Sequence, residues 1–148
     1  MAGVVSYIFI CPVRGQPMQS VQSVRAITGL GLEGDRYSTG DGSWNRDRPG
    51  SRQVTLINLR SFNGTGFFPA DSRRNIVVNG MELMPLIGKY FRLGGVLMLG
   101  VKYCEPCHRP DKLSGKDGFQ DQFCDRGGLL AEVVESGVVS VNDSVLVL

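Results

Sequence analysis

Cysteine and histidine are scarce in this chain, so a place where they gather is where chemistry is expected first. Cys104-Glu105-Pro106-Cys107-His108 holds two of the four cysteines and the single histidine. An ionised thiol is the nucleophile and the metal ligand, and neighbouring cations favour that form. Arg109 and Lys112 follow closely and would favour a Cys107 thiolate if they face it. The C-x-x-C-H spacing also matches covalent haem attachment, but no export signal precedes it, a proline sits inside it and the chain is strand-rich. No haem is expected. Cys104, Cys107, His108 and Cys124 have the ligand types of a zinc site. Structural zinc usually draws on two closely spaced pairs and only one is present, so a zinc-stabilised domain is the weaker alternative. Cys11 and Cys124 read as buried structural thiols, a common fate of free cysteine.

Arginine supplies the second chemistry. Twelve of the 16 basic residues are Arg, and from Arg36 to Arg74 seven Arg face three acids, Asp41, Asp47 and Asp71, while the whole chain is only +2. Guanidinium groups give planar, bidentate recognition of phosphate and carboxylate, so this stretch is a candidate site for a small anionic ligand. A nucleic-acid partner is not expected, because overall charge is small and no aromatic-rich strand motif accompanies the arginines. Gly29-Leu30-Gly31-Leu32-Glu33-Gly34 matches the dinucleotide pattern G-x-G-x-x-G. That fingerprint needs a helix to begin at its third glycine, and Asp35-Arg36-Tyr37-Ser38-Thr39-Gly40 cannot sustain one.

These side chains must be positioned by strands. The 148 residues contain 20 Gly and 17 Val but only 4 Ala, the balance of strands and tight turns. Nine apolar, β-branched runs are predicted strands: 4–10, 21–27, 53–59, 75–78, 89–93, 96–103, 129–135, 138–141 and 144–148. Turn formers such as Asn63-Gly64, Asn79-Gly80 and Asn142-Asp143 separate them, and breakers at this frequency predict an all-β barrel or sandwich with few helices. Residues 129–135 also suit a helix, but the downstream Gly137 and Val-rich return favour a strand pair. Two long stretches, 38–52 and 108–128, lack regular patterning apart from one amphipathic patch around Phe119 to Cys124, and are predicted to be functional loops or else disordered. Trp44, the only tryptophan, lies in the first. It is expected to anchor that loop to the core, with stacking on a ligand as the alternative.

The length fits one domain over residues 1–148. With 42% hydrophobic and 20% charged residues, disorder and collagen-like repeats are excluded. No apolar run nears the ~20 residues of a bilayer-spanning helix, and no basic leader or cleavage site marks the N-terminus. A cytoplasmic protein with no membrane partner, whose cysteines remain thiols, is the expectation.

Gly34-Asp35-Arg36-Tyr37, Gln53-Val54-Thr55-Leu56-Ile57, Arg73-Arg74-Asn75-Ile76-Val77-Val78-Asn79-Gly80, Cys104-Glu105-Pro106-Cys107 and Arg126-Gly127-Gly128 with Gly137 and Asn142-Asp143, in this order, resemble the MOSC domain. That module occurs at the C-terminus of eukaryotic molybdenum cofactor sulfurases, in the mitochondrial amidoxime-reducing component and as small stand-alone proteins. The resemblance implies a MOSC-like all-β barrel with a few short helices. It implies that Cys107, in the Pro-Cys motif at a strand end, is a molybdenum ligand or a persulfide acceptor. It also implies that Asp35, Arg36, Arg73, Arg74, Asn75 and Arg126 meet the cofactor, molybdopterin. Of the adjacent Arg73 and Arg74, a strand would turn only one toward it. Cys104 is an addition to the family pattern, able to close a disulfide with Cys107 or to resolve a persulfide on it. The implied activities are reduction of small N-hydroxylated substrates, with electrons from a separate electron-transfer protein, and acceptance of sulfur from a cysteine desulfurase. A non-catalytic molybdopterin carrier or chaperone is the third. Larger members place a further β-barrel domain before the module, whereas this sequence opens on the module's first strand. Pyridoxal phosphate belongs to a different domain of the fused sulfurases and is not expected, since none of the four Lys lies in a recognisable motif.

Overall fold

The computed structural model describes residues 3–148. Its strands are β1 (Gly3–Ile10), β2 (Gln19–Val21), β3 (Ser23–Ile27), β4 (Gly31–Leu32), β5 (Val54–Asn58), β6 (Ile76–Asn79), β7 (Tyr90–Leu93), β8 (Val96–Tyr103), β9 (Leu129–Glu135), β10 (Gly137–Ser140) and β11 (Ser144–Val147). Two short helices, α1 (Arg109–Ser114) and α2 (Phe119–Gln122), interrupt the second long loop. The main sheet runs β11-β7-β8-β9-β5-β6-β1-β2, and a β11–β1 pairing closes seven of these strands into a barrel. Closure removes the unpaired edges that an open sheet would present. β10, β3 and β4 form a separate three-stranded sheet. Among the described residues no helix is long and apolar enough to cross a membrane.

The strand pair that carries the site's weight is β5–β6, the one parallel strand pair among the described residues. Leu56, Ile76 and Val78 point into the barrel core with Phe91, Met98 and Leu129. Ile57 and Val77 point the other way, into a second cluster with Phe62, Phe67, Phe119 and Phe123. A strand buried on both faces needs a near-continuous apolar run rather than an alternating one, which Ile76–Val78 supply, and Val54–Ile57 supply except for Thr55, whose buried hydroxyl bonds Asn75.

The predicted strands coincide with the observed ones to within a residue or two, except that 21–27 is cut at Gln22 and β4 escaped notice. Residues 129–135 are a strand, as the downstream Gly137 indicates. Residues 108–128 are the larger departure, because a loop with one amphipathic patch around Phe119 to Cys124 was expected and two helices stand there, α2 within that patch. Phe119 and Phe123 of that segment stack at 4.2 Å and are fully buried. Asp111 accepts hydrogen bonds from the Gly118 and Phe119 amides, at 2.8 Å each, tying α1 to the start of α2. Burial of each ring contributes roughly 1.5–3 kcal/mol, enough to fold a segment whose turn-rich sequence hides its helices.

Candidate functional site

Cys107 follows the end of β8 after a three-residue irregular link, Cys104-Glu105-Pro106, and Arg74 fixes that link. The Arg74 side chain is buried; its Nε donates to the Gly127 carbonyl at 2.7 Å and its Nη2 to the Glu105 carbonyl at 3.3 Å. Gly127 is required where the two segments cross, since a Cβ there would strike the Cys104 carbonyl and Pro106. Cys107 is half-buried and lines a cleft with Trp44 and six arginines: Arg14, Arg36, Arg52, Arg73, Arg74 and Arg109. No carboxylate lines it.

The arginines are poorly compensated. Arg36 is paired with Asp35 at 3.2 Å and Arg14 with Asp41 at 3.5 Å. Among the described residues the other four make no ion pair. Arg73 stands at the left-handed backbone angle φ 61°, an uncommon conformation for a long side chain. It donates to the Gln16 carbonyl at 2.8 Å and to the Cys11 sulfur at 3.6 Å. Burial, then repulsion from Arg36, lowers its pKa. Arg52 donates through Nη2 to the Cys104 sulfur at 3.3 Å, while its buried Nε has no partner. The guanidinium carbons of Arg36 and Arg52 lie 4.5 and 5.2 Å from the centre of the Tyr37 ring, distances at which ring and cation attract.

Asn45 preforms the loop that closes the cleft. Fully buried, it donates to the Tyr37 carbonyl at 2.8 Å and to the Arg52 carbonyl at 3.1 Å, and accepts from the Gly42 amide at 3.1 Å. Both ends of the 38–52 segment are thereby pinned without regular secondary structure, and Trp44 projects from it 53% exposed. Trp44 is therefore not the core anchor that was expected. That role falls to Asn45.

The structure sorts the sequence candidates. Cys107, Arg36, Arg73 and Arg74 line the cleft together. Arg73 and Arg74 both reach it because neither is in a strand: β6 begins only at Ile76, and Arg73 ends a 3-10 turn over Pro69–Ser72. Asp35 and Asn75 stand behind the wall. The Asp35 carboxylate accepts from the Cys11 and Tyr37 amides and from Arg36. Burial raises its pKa above the usual 3.8, and Arg36, those two amides and Asn75 partly offset the rise. The Asn75 amide is occupied by Thr55 and the Phe9 carbonyl, at 3.1 Å each. Arg126 is exposed and lines a different cavity. Cys104 is a free thiol, fully buried beneath Arg52. Cys11 is buried as expected, but Cys124 is exposed, because Phe123 beside it takes the inward position. Lys112 faces solvent away from the cleft, whereas Arg109 lines it. Among the described residues no three His, Cys, Asp or Glu side chains converge as metal ligands. Sequence reasoning missed Arg14, which stands in a Gly-Pro turn and gave no signal of its own; Arg52 was visible only as one member of the arginine-rich stretch.

The fold and the site together are a closed β-barrel with a half-buried thiol in an arginine-walled cleft. The sequence model of the MOSC domain matches residues 51–146, and the chain belongs to that family. No curated protein sequence matches it. Its fold is similar to that of the YuaD protein from Bacillus subtilis, with a TM-score of 0.83 at 16% identity over 99% of this chain and 96% of that one. It is also similar to YiiM from Escherichia coli, with a TM-score of 0.71 at 17% identity over 100% of this chain and 70% of that one. YiiM from Geobacillus stearothermophilus gives 0.71 at 12% identity, over 99% and 75%.

Proposed function

We propose that this protein binds molybdenum cofactor or handles its sulfur, with Cys107 as the metal ligand or sulfur acceptor. The observation that carries the reading is the single half-buried thiol set among six arginines with no carboxylate on the wall. The donor set suits the cofactor: a thiolate is a soft metal ligand, and guanidinium groups suit the phosphate of molybdopterin. The unpartnered Arg52 Nε marks hydrogen-bonding capacity that the protein does not use itself. Arg36 and Arg73 would hold the anion, and Cys107 the metal. When bound, the cofactor supplies two-electron redox chemistry. Around it, the arginines fix the anionic end, and the Asp35 carboxylate holds Arg36 in place. Reduction of a small N-hydroxylated compound to the amine and water consumes two electrons and two protons, with the electrons from a separate electron-transfer protein.

A second reading is favoured by size. The cleft has room for about 30 Å³, the space of two or so water molecules, so a pterin enters only if the Trp44 loop moves outward. A persulfide sulfur fits without movement. In that reading the Cys107 thiolate attacks the outer sulfur of a cysteine desulfurase persulfide; a new S–S bond forms on Cys107, the old one breaks, and the donor leaves as a thiolate. No net oxidation occurs.

Both readings are tested on protein made in a cofactor-competent host, beside Cys107→Ser. Elemental analysis for molybdenum and zinc is combined with the fluorescence of oxidised pterin released on denaturation. Molybdenum and pterin near one per chain, with metal lost in the variant, support the cofactor reading. Metal-free protein carrying a labile sulfur on Cys107 supports sulfur transfer, pterin bound without turnover supports a carrier, and zinc alone overturns the proposal.

A further inference from the structure

The wall of the cleft has a second side. Trp44 and Arg52 also line an adjoining open cavity of about 140 Å³, together with Val101 and Lys102 of β8 and Leu130 and Glu132 of β9. Its size is about that of a cavity that holds one benzene ring. Its lining is mixed in a particular way. Val101 and Leu130 are aliphatic, the exposed Trp44 indole is a flat apolar surface, and the two cations Arg52 and Lys102 outnumber the one acid, Glu132. The second observation is at Arg52 itself. Among the described residues its guanidinium makes one side-chain hydrogen bond, to the Cys104 sulfur, and its buried Nε makes none. A buried donor without an acceptor costs roughly 1–3 kcal/mol, a cost removed when a ligand oxygen turns Arg52 toward itself. The Asn45 latch holds Trp44 and Arg52 on one short pinned segment, so both face a ligand together.

We propose that the cavity on the far side of Trp44 is a binding subsite for a single flat ring bearing a carboxylate or similar oxyanion, with the ring against the Trp44 indole and the charge on Arg52. The inference rests on the Cys107 cleft being the reacting site, in that the subsite holds the part of a substrate remote from the thiol. Binding itself needs neither metal nor thiol, so the two readings fail separately.

Trp44 is the only tryptophan, and its fluorescence reports the site directly. Metal-free protein is titrated with benzoate, acetate and benzamide at fixed ionic strength, in wild type and in Cys107→Ser. Benzoate should change the emission saturably in both proteins, and at least tenfold more tightly than either other compound. Arg52→Gln should weaken benzoate binding about tenfold or more, as loss of a charge-assisted hydrogen bond does. Val101→Phe, at an exposed strand position that lines this cavity and not the Cys107 cleft, should abolish it without loss of folding. Acetate equal to benzoate would remove the ring from the proposal, benzamide equal to benzoate would remove the charge, and full benzoate binding by Val101→Phe would move the ligand into the main cleft. Each of these results, or no response to benzoate, overturns it. Loss of binding in Cys107→Ser alone would also overturn it, by making the thiol part of the subsite.

Discussion

Two polar openings in this molecule differ in a way that volume does not predict. The cavity between Arg60 and Arg126 has room for about 350 Å³, against about 30 Å³ in the Cys107 cleft. Yet its two arginines are matched by two acids, Glu82 and Asp125, and Arg60 is paired with Glu82 where both are more than half exposed. In the narrow cleft six arginines stand with no carboxylate on the wall, and the ion pair behind it, Asp35–Arg36, is almost wholly buried. Water screens the first pair and is excluded from the second. Uncompensated charge beside a thiol, rather than size, is what sets the narrow cleft apart as the candidate site.

The sharpest break of this comparison is the loss of an acid on each side. Asp35→Ala would leave Arg36 buried without a partner and the Cys11 and Tyr37 amides without an acceptor. A cost of about 3–5 kcal/mol is expected in urea unfolding, against about 0.5 kcal/mol or less for Glu82→Gln at the exposed pair. Equal costs would erase the distinction. The pH dependence follows from the raised Asp35 pKa. Just above pH 3.8 the unfolded chain has released this proton while the folded chain still holds it, so the stability contributed by Asp35 falls as pH rises through that window. The advantage of wild type over Asp35→Asn should therefore shrink with rising pH and level off above the folded-state value. The opposite slope would mean that attraction to Arg36 outweighs burial.

Next in size is anion affinity. Inorganic phosphate should bind the cleft and raise the thermal midpoint. Arg73→Met should weaken that binding about tenfold or more, because a charged hydrogen-bond donor is lost. Removal of Arg73 also ends its repulsion with Arg36, so the phosphate-free protein should lose little stability. Arg126→Met, at the charge-balanced opening, should leave phosphate binding unchanged. Equal weakening by the two substitutions would place the anion elsewhere.

How much of this was legible follows from which signals are local. Strand runs such as Val96–Tyr103 and Leu129–Glu135 announce themselves by composition, and the order of motifs announced the family. The roles within motifs did not. Asn75 sits beside two cleft arginines in sequence but spends its amide on Thr55 and Phe9, and the backbone turn at Arg73 decides that both arginines reach the cleft. Arg14 is some 60 residues from Arg73 and joins it only because β1 ends beside β6. Of the α1–α2 segment only the amphipathic patch around Phe119 to Cys124 was legible, because its helices are held by buried phenylalanines and one aspartate rather than by extended helical periodicity.

The smallest effect is at the thiols, and it separates accessibility from environment. Cys11 and Cys104 are buried, so a soluble thiol reagent should reach them only on unfolding. Cys107 and Cys124 should both react in the folded protein, one half-buried among arginines and the other exposed. An anionic reagent is drawn toward the cleft by the surrounding positive charge, so Cys107 should react severalfold faster with it than with a neutral reagent of the same size. Cys124 lies outside the cleft and should show no such preference. Raised salt screens that attraction, and phosphate, by occupying the cleft, should slow Cys107 alone. Mass mapping of the labelled cysteines reads each site separately. If phosphate protected Cys124 as well, the effect would belong to the whole protein rather than to the arginine wall, and the contrast between the two openings would lose its electrostatic basis.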